Sequence, residues 1–410
     1  MPQPPGSGSL VEFEINDIAH GGEGVGRVDG KAHFVSGVIP GEKVIGRIAK
    51  DGGSWARAEL VEVRTPSPDR VVPLCPHATR CGGCQWQHAT YDAQRAWKHN
   101  TVVTQLQHIG KIADPPVGDV VAPGPPFGYR NRMDFRVHDG RPAMHRARSH
   151  EMVPLDVCQL LDPKLAAVFG RLNNLDGVAQ FILRAGTNTG DSLMIVNGVI
   201  PEQAGDWGVP LAQQQGKAVT GIAGPARITE DVNGTRFRIT GNVFFQNNTH
   251  GAAALVELVR NALQPEATDT VLDAYAGVGL FGASLAADVD RVIAVESNRV
   301  AAADLARNLK AAGVDHRVIR GKMESVAGHL DEYAELAIAD PPRTGLGEAG
   351  IAAVTATSPR RLAYVSCDPA SLARDAALLG GIGYQLAEVT PVDMFPQTFH
   401  IEAVATFVLA

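Results

Sequence analysis

The chain contains few cysteines, few aromatic residues and no long apolar run. Five of its 410 residues are cysteines and 6% are aromatic. No run of about 18 apolar residues occurs, which argues against a membrane-spanning helix. The first residues, MPQPPGSGSL, lack the basic start and apolar core of a secretion signal. We therefore expect a soluble, cytoplasmic protein with no membrane partner.

The scarcity of cysteine also argues against a disulfide framework, because a long chain with so few cysteines more often uses them for metal binding or catalysis. Three of them, Cys75, Cys81 and Cys84, stand close together in LCPHATRCGGCQWQ. The other two, Cys158 and Cys367, stand far along the chain. The net charge of -7 argues against a uniformly basic surface, although an average over the chain hides local patches.

Length and residue pattern predict three domains after a short disordered lead at residues 1–8. Residues 9–66 hold about five short alternating strands, typical of a small β-barrel of the OB type. Residues 67–240 predict an α+β domain, whose helix near 89–110 we expect to pack on the last domain. Residues 241–410 alternate strands and helices, which predicts an α/β fold with a doubly wound, Rossmann-like sheet.

The segment VLDAYAGVGLFG predicts a buried strand, a turn at Gly277 and Gly279, and a helix start. Glu296 ends the next strand, where an acidic residue often binds ribose hydroxyls. The third glycine of the dinucleotide fingerprint is absent. The segment therefore looks more like the S-adenosylmethionine site of class I methyltransferases than an NAD site, although a glycine-rich turn alone is weak evidence.

The segment ADPPRTGLG follows another predicted strand and begins its polar part at Asp340. It is similar to motif IV of many methyltransferases. Arg343 stands where amino-methyltransferases have an aromatic residue that stacks on the target base. This difference argues against methylation of an amine.

Cys367 follows a buried strand in SCDPASLARD, at the strand end where α/β enzymes place their sites. The alternative is a small buried apolar residue. Together with FFQNN, DPPRTG and PQTFHIEAVATF, in this order, the segment resembles the RNA 5-methyluridine methyltransferase family. HGGEGVGRVDGKAHFVSGVIPGE resembles the TRAM domain that begins many of its members.

The resemblance implies methylation of carbon 5 of uridine in tRNA or rRNA, with S-adenosylmethionine as methyl donor. It implies that Cys367 adds to carbon 6 of the uracil as a thiolate, so we expect an electropositive setting for this residue. It also implies that Glu402 is the base, a residue that HIEAV alone would make an exposed strand position. The implied S-adenosylmethionine contacts are Gln246, Tyr275, Glu296 and Asp340.

Four cysteines remain if Cys367 is the nucleophile. Four thiolates suit a [4Fe–4S] cluster or a structural zinc ion, and spacing alone does not decide between them. The pattern C-x5-C-G-G-C with a distant fourth cysteine resembles the cluster-bearing branch of the family. This resemblance implies a [4Fe–4S] cluster on Cys75, Cys81, Cys84 and Cys158. A radical enzyme is a competing hypothesis, but its usual C-x3-C-x2-C spacing is not present.

The segment 129–150 holds six arginines and three histidines against two acidic residues. Such a local basic patch suits contact with RNA phosphates, and its alternative is a solvated strand surface. OB-type barrels also bind single strands. We therefore expect an RNA-binding monomer, with an RNA-binding module without activity as the competing hypothesis.

Overall fold

The computed structural model describes residues 8–326, 328 and 333–410. The disordered lead predicted at residues 1–8 lies outside this range except for Gly8. The chain forms two compact units. The first holds the chain up to Thr101 with Met144–Val153 and Phe395–Phe399, and the second holds Val102–Ala143, Pro154–Met394 and His400–Ala410. The three domain borders drawn from the sequence stay predictions.

The first unit contains a closed barrel of five strands, in the order β1-β2-β3-β5-β4. Alternate residues such as Phe13 and Ile15 point inward and are buried, as the alternation of apolar and polar residues predicts. The predicted small barrel is thus confirmed. Its strands are β1 (Leu10–Ile18), β2 (Gly24–Val28), β3 (Lys31–Val35), β4 (Lys43–Asp51) and β5 (Trp55–Thr65).

A long helix and a seven-stranded sheet follow the barrel, the sheet in the order β12-β11-β10-β9-β6-β7-β8. Strands β13 and β14 form a separate hairpin. The elements are α1 (Tyr91–His108), β6 (Arg132–His138), β7 (Arg141–His145), β8 (Met152–Pro154), α2 (Pro163–Phe169), β9 (Val178–Ala185), β10 (Ser192–Gly198), a 3-10 helix (Glu202–Trp207), β11 (Leu211–Gln215), β12 (Ala218–Ala223), β13 (Arg227–Val232) and β14 (Thr235–Thr240).

The second unit also contains the predicted α/β sheet, in the order β17-β16-β15-β18-β19-β21-β20. The elements are α3 (Thr249–Leu263), β15 (Thr270–Ala274), α4 (Leu280–Ser284), β16 (Arg291–Glu296), α5 (Arg299–Ala312), β17 (Asp315–Arg320), α6 (Met323–Val326), β18 (Leu336–Ala339), α7 (Gly347–Val354), a 3-10 helix (Thr355–Thr357), β19 (Arg361–Ser366), α8 (Pro369–Gly380), β20 (Tyr384–Val392) and β21 (Glu402–Leu409).

The core of this sheet explains its near-continuous apolar strands. Strands β15, β16, β18 and β19 are parallel neighbours covered by helices, so both faces are buried. Val102 and Leu106 of α1 are fully buried in the same cluster. Among the described residues, no helix combines the length and the apolar composition that crossing a membrane requires.

Glu42 is a fully buried acidic residue of the barrel unit. Its carboxylate is fully buried and accepts hydrogen bonds from the Arg70 guanidinium and from the Ile39 amide, the latter at 2.9 Å. Burial by itself raises the pKa of Glu42, but the hydrogen bonds and charge of Arg70 and the Ile39 amide outweigh it, and the net pKa is lowered. Glu42 therefore stabilises the folded state in its ionised form.

We predict that Glu42→Gln destabilises the first unit by about 2 kcal/mol at pH 7, because the Arg70 charge loses its partner. A lowered folded pKa contributes stability above the unfolded pKa and loses it as the pH falls, so the difference from wild type shrinks below about pH 4.5. Urea unfolding followed by tryptophan fluorescence measures this, since Trp55, Trp86 and Trp97 lie in this unit. The exposed Glu59→Gln is the control, and an equal loss there would contradict the prediction.

Candidate active site

One edge of the α/β sheet collects the polar residues of the site. Residues Ala274 of β15, Val295 of β16 and Ala339 of β18 pair side by side in parallel register. The carboxyl ends of these strands therefore lie together. The strand order changes direction between β15 and β18, because β16 and β17 follow β15 on one side and β18 and β19 lie on the other. Such a switch point is where ligands bind in open α/β sheets.

Strand β21 brings its first residue to the same edge, because it runs antiparallel to β19. Ser366 pairs with Ala403. Cys367 follows the first of these and Glu402 precedes the second, so the two residues are neighbours across the strands. Cys367 is half-buried and Glu402 is 4% exposed. The structure therefore brings together the two residues that the sequence predicted as nucleophile and base.

The glycine-rich turn after β15 is shaped by backbone conformation. Tyr275 and Gly279 have φ of 62° and 92°. A Cβ atom at Gly279 would lie 2.7 Å from Leu305, so only glycine fits here without movement. Fully buried Asp273 accepts a hydrogen bond from the Gly282 amide at 3.0 Å through Oδ2, whereas its Oδ1 is buried without a hydrogen-bond partner. The strand that leads into the turn thus carries a buried carboxylate oxygen without a hydrogen-bond partner.

Glu296 holds the other side of this turn. Its Oε2 accepts a hydrogen bond from the Gly277 amide at 2.9 Å, and its Oε1 accepts one from the Asn298 amide. The half-buried Tyr275 donates its hydroxyl to Glu324 at 2.6 Å. Glu296 and Tyr275 therefore lie at the turn, as predicted, and are oriented by these partners.

The buried carboxyl groups of the edge retain protons more strongly than free ones. Burial, opposed by the Gly282 amide and reinforced by Glu296, raises the pKa of Asp273 to about 7. Burial and the neighbouring Asp273 raise the pKa of Asp340 to about 7. Burial and Asp340 raise the pKa of Glu402 well above its ordinary value, against the opposing effect of Arg343.

The predicted electropositive setting of Cys367 is wrong. Burial, then Glu402 and Asp340, raise the pKa of this thiol to about 12, and Arg343 acts in the opposite direction. The site is acidic because its carboxylates come from three separate strands, which the local sequence around Cys367 does not show. Arg343 is exposed and its Nη2 lies 3.5 Å from Nδ1 of His400.

Gln246 belongs to the segment that precedes α3. It is 5% exposed, and its backbone carbonyl accepts a hydrogen bond from the side-chain amide of Asn131 at 3.1 Å. Phe244, two residues earlier, is 60% exposed. The role of Gln246 as a cofactor contact stays a prediction. Sequence reasoning gave no role to Asp273 or Arg343, although both stand in motifs that it singled out, at the ends of predicted strands.

The four remaining cysteines are all half-buried. The loop of Cys75, Cys81 and Cys84 is ordered by hydrogen bonds such as that from the Cys81 amide to His77 at 2.8 Å. Cys158 lies in the second unit, with its sulfur 3.7 Å from that of Met133. Among the described residues, no group of three or more His, Cys, Asp or Glu side chains could hold a metal ion. The central iron–sulfur domain is therefore not shown.

Much of the basic segment 129–150 is neutralised by acidic partners. Arg141 pairs with Asp156, Arg146 with Glu151 at 3.1 Å, and Arg132 with Asp134 at 3.3 Å, while Arg148 pairs with buried Glu23. Two of these acids, Asp156 and Glu151, follow the segment, and Glu23 comes from the barrel. The positive charge counted along the sequence is thus larger than the charge that this surface offers to a partner.

We predict that Asp273→Asn stabilises the protein relative to wild type at pH 8 more than at pH 4.5. An acid whose folded pKa is raised to about 7 costs stability as the pH rises above its unfolded pKa, and asparagine removes this cost. Urea unfolding followed by circular dichroism measures the difference, which we expect to change by at least about 1 kcal/mol.

Asp269→Asn is the matched control, because the pKa of Asp269 is shifted in the opposite direction to that of Asp273. Hydrogen bonds from Arg360 at 2.6 and 2.8 Å lower the pKa of Asp269. The stability that this lowered pKa contributes is lost only as the pH falls below about 3.8, so its replacement should destabilise the protein by nearly the same amount at pH 8 and at pH 4.5. The same pH dependence for both variants would contradict the assignment of a raised pKa to Asp273.

Comparison with known proteins agrees with this geometry. An uncharacterized RNA methyltransferase of Gloeobacter violaceus is 34% identical over 451 residues, covering 99% of this chain and 98% of that protein. Another from Streptomyces avermitilis is 33% identical over 424 residues, covering 97% and 98%. The crystal structure of Pyrococcus abyssi tRNA (uracil-54, C5)-methyltransferase with S-adenosyl-L-homocysteine shares the fold, with a TM-score of 0.78 at 24% identity over 97% of this chain and 100% of that one.

Two family models match the chain. Residues 7–61 match the TRAM domain and residues 228–408 match the tRNA (uracil-5-)-methyltransferase family. The family resemblance and the TRAM domain inferred from the sequence are thereby confirmed. The matches to these models and to relatives over nearly the whole chain show that the protein belongs to the tRNA (uracil-5-)-methyltransferase family of RNA methyltransferases.

Proposed function

We propose that the protein methylates carbon 5 of uridine in RNA with S-adenosylmethionine as methyl donor. The observation that carries the proposal is the juxtaposition of the Cys367 thiol and the Glu402 carboxyl at the sheet edge. The glycine-rich turn follows β15 and Asp340 follows β18, both at this edge of the sheet. Membership in the family supports the same reaction.

The residues at the edge fit S-adenosylmethionine. The buried Oδ1 of Asp273 has no hydrogen-bond partner, and a Cβ atom at Gly277 of the following turn would meet open space. Asp340 and Asp273 add carboxyl groups that favour a cation. We propose that Gln246, Tyr275, Glu296 and Asp340 hold this donor, which supplies an electrophilic methyl group on a positively charged sulfur.

The proposed chemistry follows from the weak nucleophilicity of carbon 5. The Cys367 thiolate bonds to carbon 6 of the uracil, and the electron pair of the 5,6 double bond moves towards carbon 5. Carbon 5 then bonds to the methyl group. The bond between this methyl group and sulfur breaks, and its electron pair stays on sulfur. Glu402 takes the proton from carbon 5, the double bond re-forms, and Cys367 leaves carbon 6 with the bonding pair.

The protonation states of the site set a condition on this sequence. The pKa of Cys367, raised to about 12, keeps this thiol protonated at neutral pH, and the raised pKa of Glu402 favours its protonated form. The reaction requires both to lose a proton. Arg343 lowers both pKa values, and a cationic ligand beside the same carboxyl groups would act in the same direction.

We predict that Cys367→Ala abolishes methyl transfer from labelled S-adenosylmethionine to unmodified RNA, because no adduct can form. Glu402→Gln should retain adduct formation but lower turnover by about 100-fold or more, the usual effect of losing a general base. The matched control is Glu388→Gln, the same change at an exposed position of β20. Methyl transfer that survives Cys367→Ala would contradict the covalent mechanism.

The target RNA is a finer proposal, for which we retain both tRNA and rRNA. Residues 228–408 match a family described by its tRNA substrate, whereas the relatives from Gloeobacter and Streptomyces are named only as RNA methyltransferases. Mass mapping of 5-methyluridine in tRNA and rRNA from a strain that lacks the gene, against its parent, distinguishes the two. Loss of the modification from neither RNA would contradict the proposal.

For RNA contact we propose the barrel surface around Trp55 rather than the basic segment alone. The Lys50 ammonium lies 5.6 Å from the Trp55 ring centroid, and the Phe34 ring lies at 6.5 Å. The Arg57 guanidinium lies at 5.7 Å and is also paired with Glu23, so Lys50 is the cation that we propose for phosphate contact. Aromatic rings beside cations suit single-stranded RNA, because bases stack on the rings and phosphates pair with the cations.

We retain the [4Fe–4S] cluster on Cys75, Cys81, Cys84 and Cys158 as a proposal that rests on the sequence pattern. The described side chains do not converge on a metal ion, so we derive no step of the reaction through it. Iron and sulfide assays on anaerobically purified protein test it. Iron with sulfide supports the cluster, zinc without sulfide supports the structural zinc alternative, and the absence of both metals refutes either site.

A further inference from the structure

The loop from Asp340 to Gly347 is held by three side chains of helix α8. The Ser371 hydroxyl donates to the Arg343 carbonyl at 2.7 Å, and the Arg374 guanidinium donates to the Thr344 carbonyl at 2.7 Å. Fully buried Asp375 accepts from the Leu346 amide at 2.7 Å. The backbone from Arg343 to Leu346 is therefore held by this helix.

Asp375 is the centre of this arrangement. Besides the loop amides of Leu346 and Gly347, it accepts hydrogen bonds from the Tyr364 hydroxyl at 2.8 Å and from Arg374 at 2.7 Å. A Cβ atom at Gly345 would lie 2.5 Å from its Oδ2. The loop can approach the carboxylate closely because this residue is glycine, with φ of 72°. A buried carboxylate with all these partners is costly to disturb.

Helix α8 also begins close to the proposed nucleophile, because its first residue, Pro369, follows Cys367 by two positions. Asp368 follows Cys367 and caps the helix, with its Oδ1 accepting from the Ser371 amide at 2.8 Å. Ser371 thus joins the start of the helix to the carbonyl of Arg343. Asp340, in contrast, directly follows strand β18, whose last residue pairs with both neighbouring strands. Asp340 is anchored by the sheet, whereas Arg343 depends on the contacts with α8.

We propose that Ser371, Arg374 and Asp375 are positioning residues that hold Arg343 opposite the Cys367 thiol and the Glu402 carboxyl. The proposal rests on the proposed function in taking Cys367 as the nucleophile. The loop that carries Asp340 and Arg343 follows β18, which is the parallel neighbour of the strand that ends before Cys367. The charged groups that act on this thiol are Glu402 from β21, Asp340 and Arg343 from that loop, and Asp368 at the start of α8. His400 lies against Arg343.

The test measures alkylation of Cys367 by iodoacetamide between pH 7 and 9.5, with peptide mass spectrometry to separate it from the other four cysteines. It needs neither RNA nor S-adenosylmethionine. Ser371→Ala should slow alkylation at each pH by about three- to tenfold, since each unit of thiol pKa changes the thiolate fraction about tenfold. Ser371→Thr, which keeps the hydroxyl, should restore the rate. Asp375→Asn should slow it at least as much as Ser371→Ala.

Two further variants assign the effect to Arg343. Arg343→Met should slow alkylation by itself, and adding Ser371→Ala to it should then change nothing more. The matched control is Thr189→Ala, which removes a hydroxyl that donates to the Thr229 carbonyl at the same 2.7 Å in another part of the unit. We expect wild-type alkylation for that control.

Turnover provides the second measurement. Ser371→Ala should lower kcat and leave KM for RNA unchanged, because the helix acts on the reacting groups rather than on RNA binding. Unchanged alkylation and kcat in folded Ser371→Ala would overturn the proposal, even if Asp375→Asn fails to fold. Methyl transfer that persists in Cys367→Ala would instead overturn the proposed function, and the alkylation result would still report whether α8 positions Arg343.

Discussion

The antiparallel register of β21 against β19 is the constraint on which the site depends. It pairs Ser366 with Ala403 and so sets Cys367 beside Glu402, although 35 positions separate their numbers in the chain. A slip of one residue would turn every side chain of β21 to the opposite face of the sheet. Residues 402–407 of β21 are all buried, so a slip would exchange Ala405 and Phe407 with Val404 and Thr406 between two packed faces.

A second constraint is that carboxyl groups outnumber cations around the Cys367 thiol. Glu402, Asp340 and Asp368 raise the pKa of Cys367, and Arg343 opposes them. Carboxyl groups in this arrangement hold the proton on the Cys367 thiol and favour a positively charged ligand. The carboxyl groups that raise the pKa of the Cys367 thiol therefore also suit a site for a sulfonium methyl donor. Since Arg343 lowers this pKa, its position affects how readily the thiol ionises.

The sequence predicted well those features that depend on local pattern. Alternation along residues 9–66 predicted the barrel. The glycine-rich turn and the strand after it predicted the two strand ends that carry Tyr275 and Glu296. Glu402 could be found only by family resemblance, since its burial depends on pairing with a distant strand. The electropositive setting expected for Cys367 failed for the same reason, because the opposing carboxylates arrive from other strands.

Other features had no signal in the sequence. The contacts of Asp375 with the Arg343 loop require α8 and the loop to be folded together. The basic segment 129–150 looked more positive than it is, because the partners of its arginines, such as Glu23 and Asp156, lie outside it. Charge counted along a chain overstates the charge of a surface whenever the neutralising residues come from elsewhere.

The most direct test of the account uses RNA that carries 5-fluorouridine, together with S-adenosylmethionine. Fluorine at carbon 5 cannot be removed as a proton, so the bond between Cys367 and carbon 6 should persist. The account predicts a protein–RNA adduct that survives denaturation and maps by peptide mass spectrometry to Cys367, and that is absent from Cys367→Ala. No adduct, or an adduct on another residue, would contradict it.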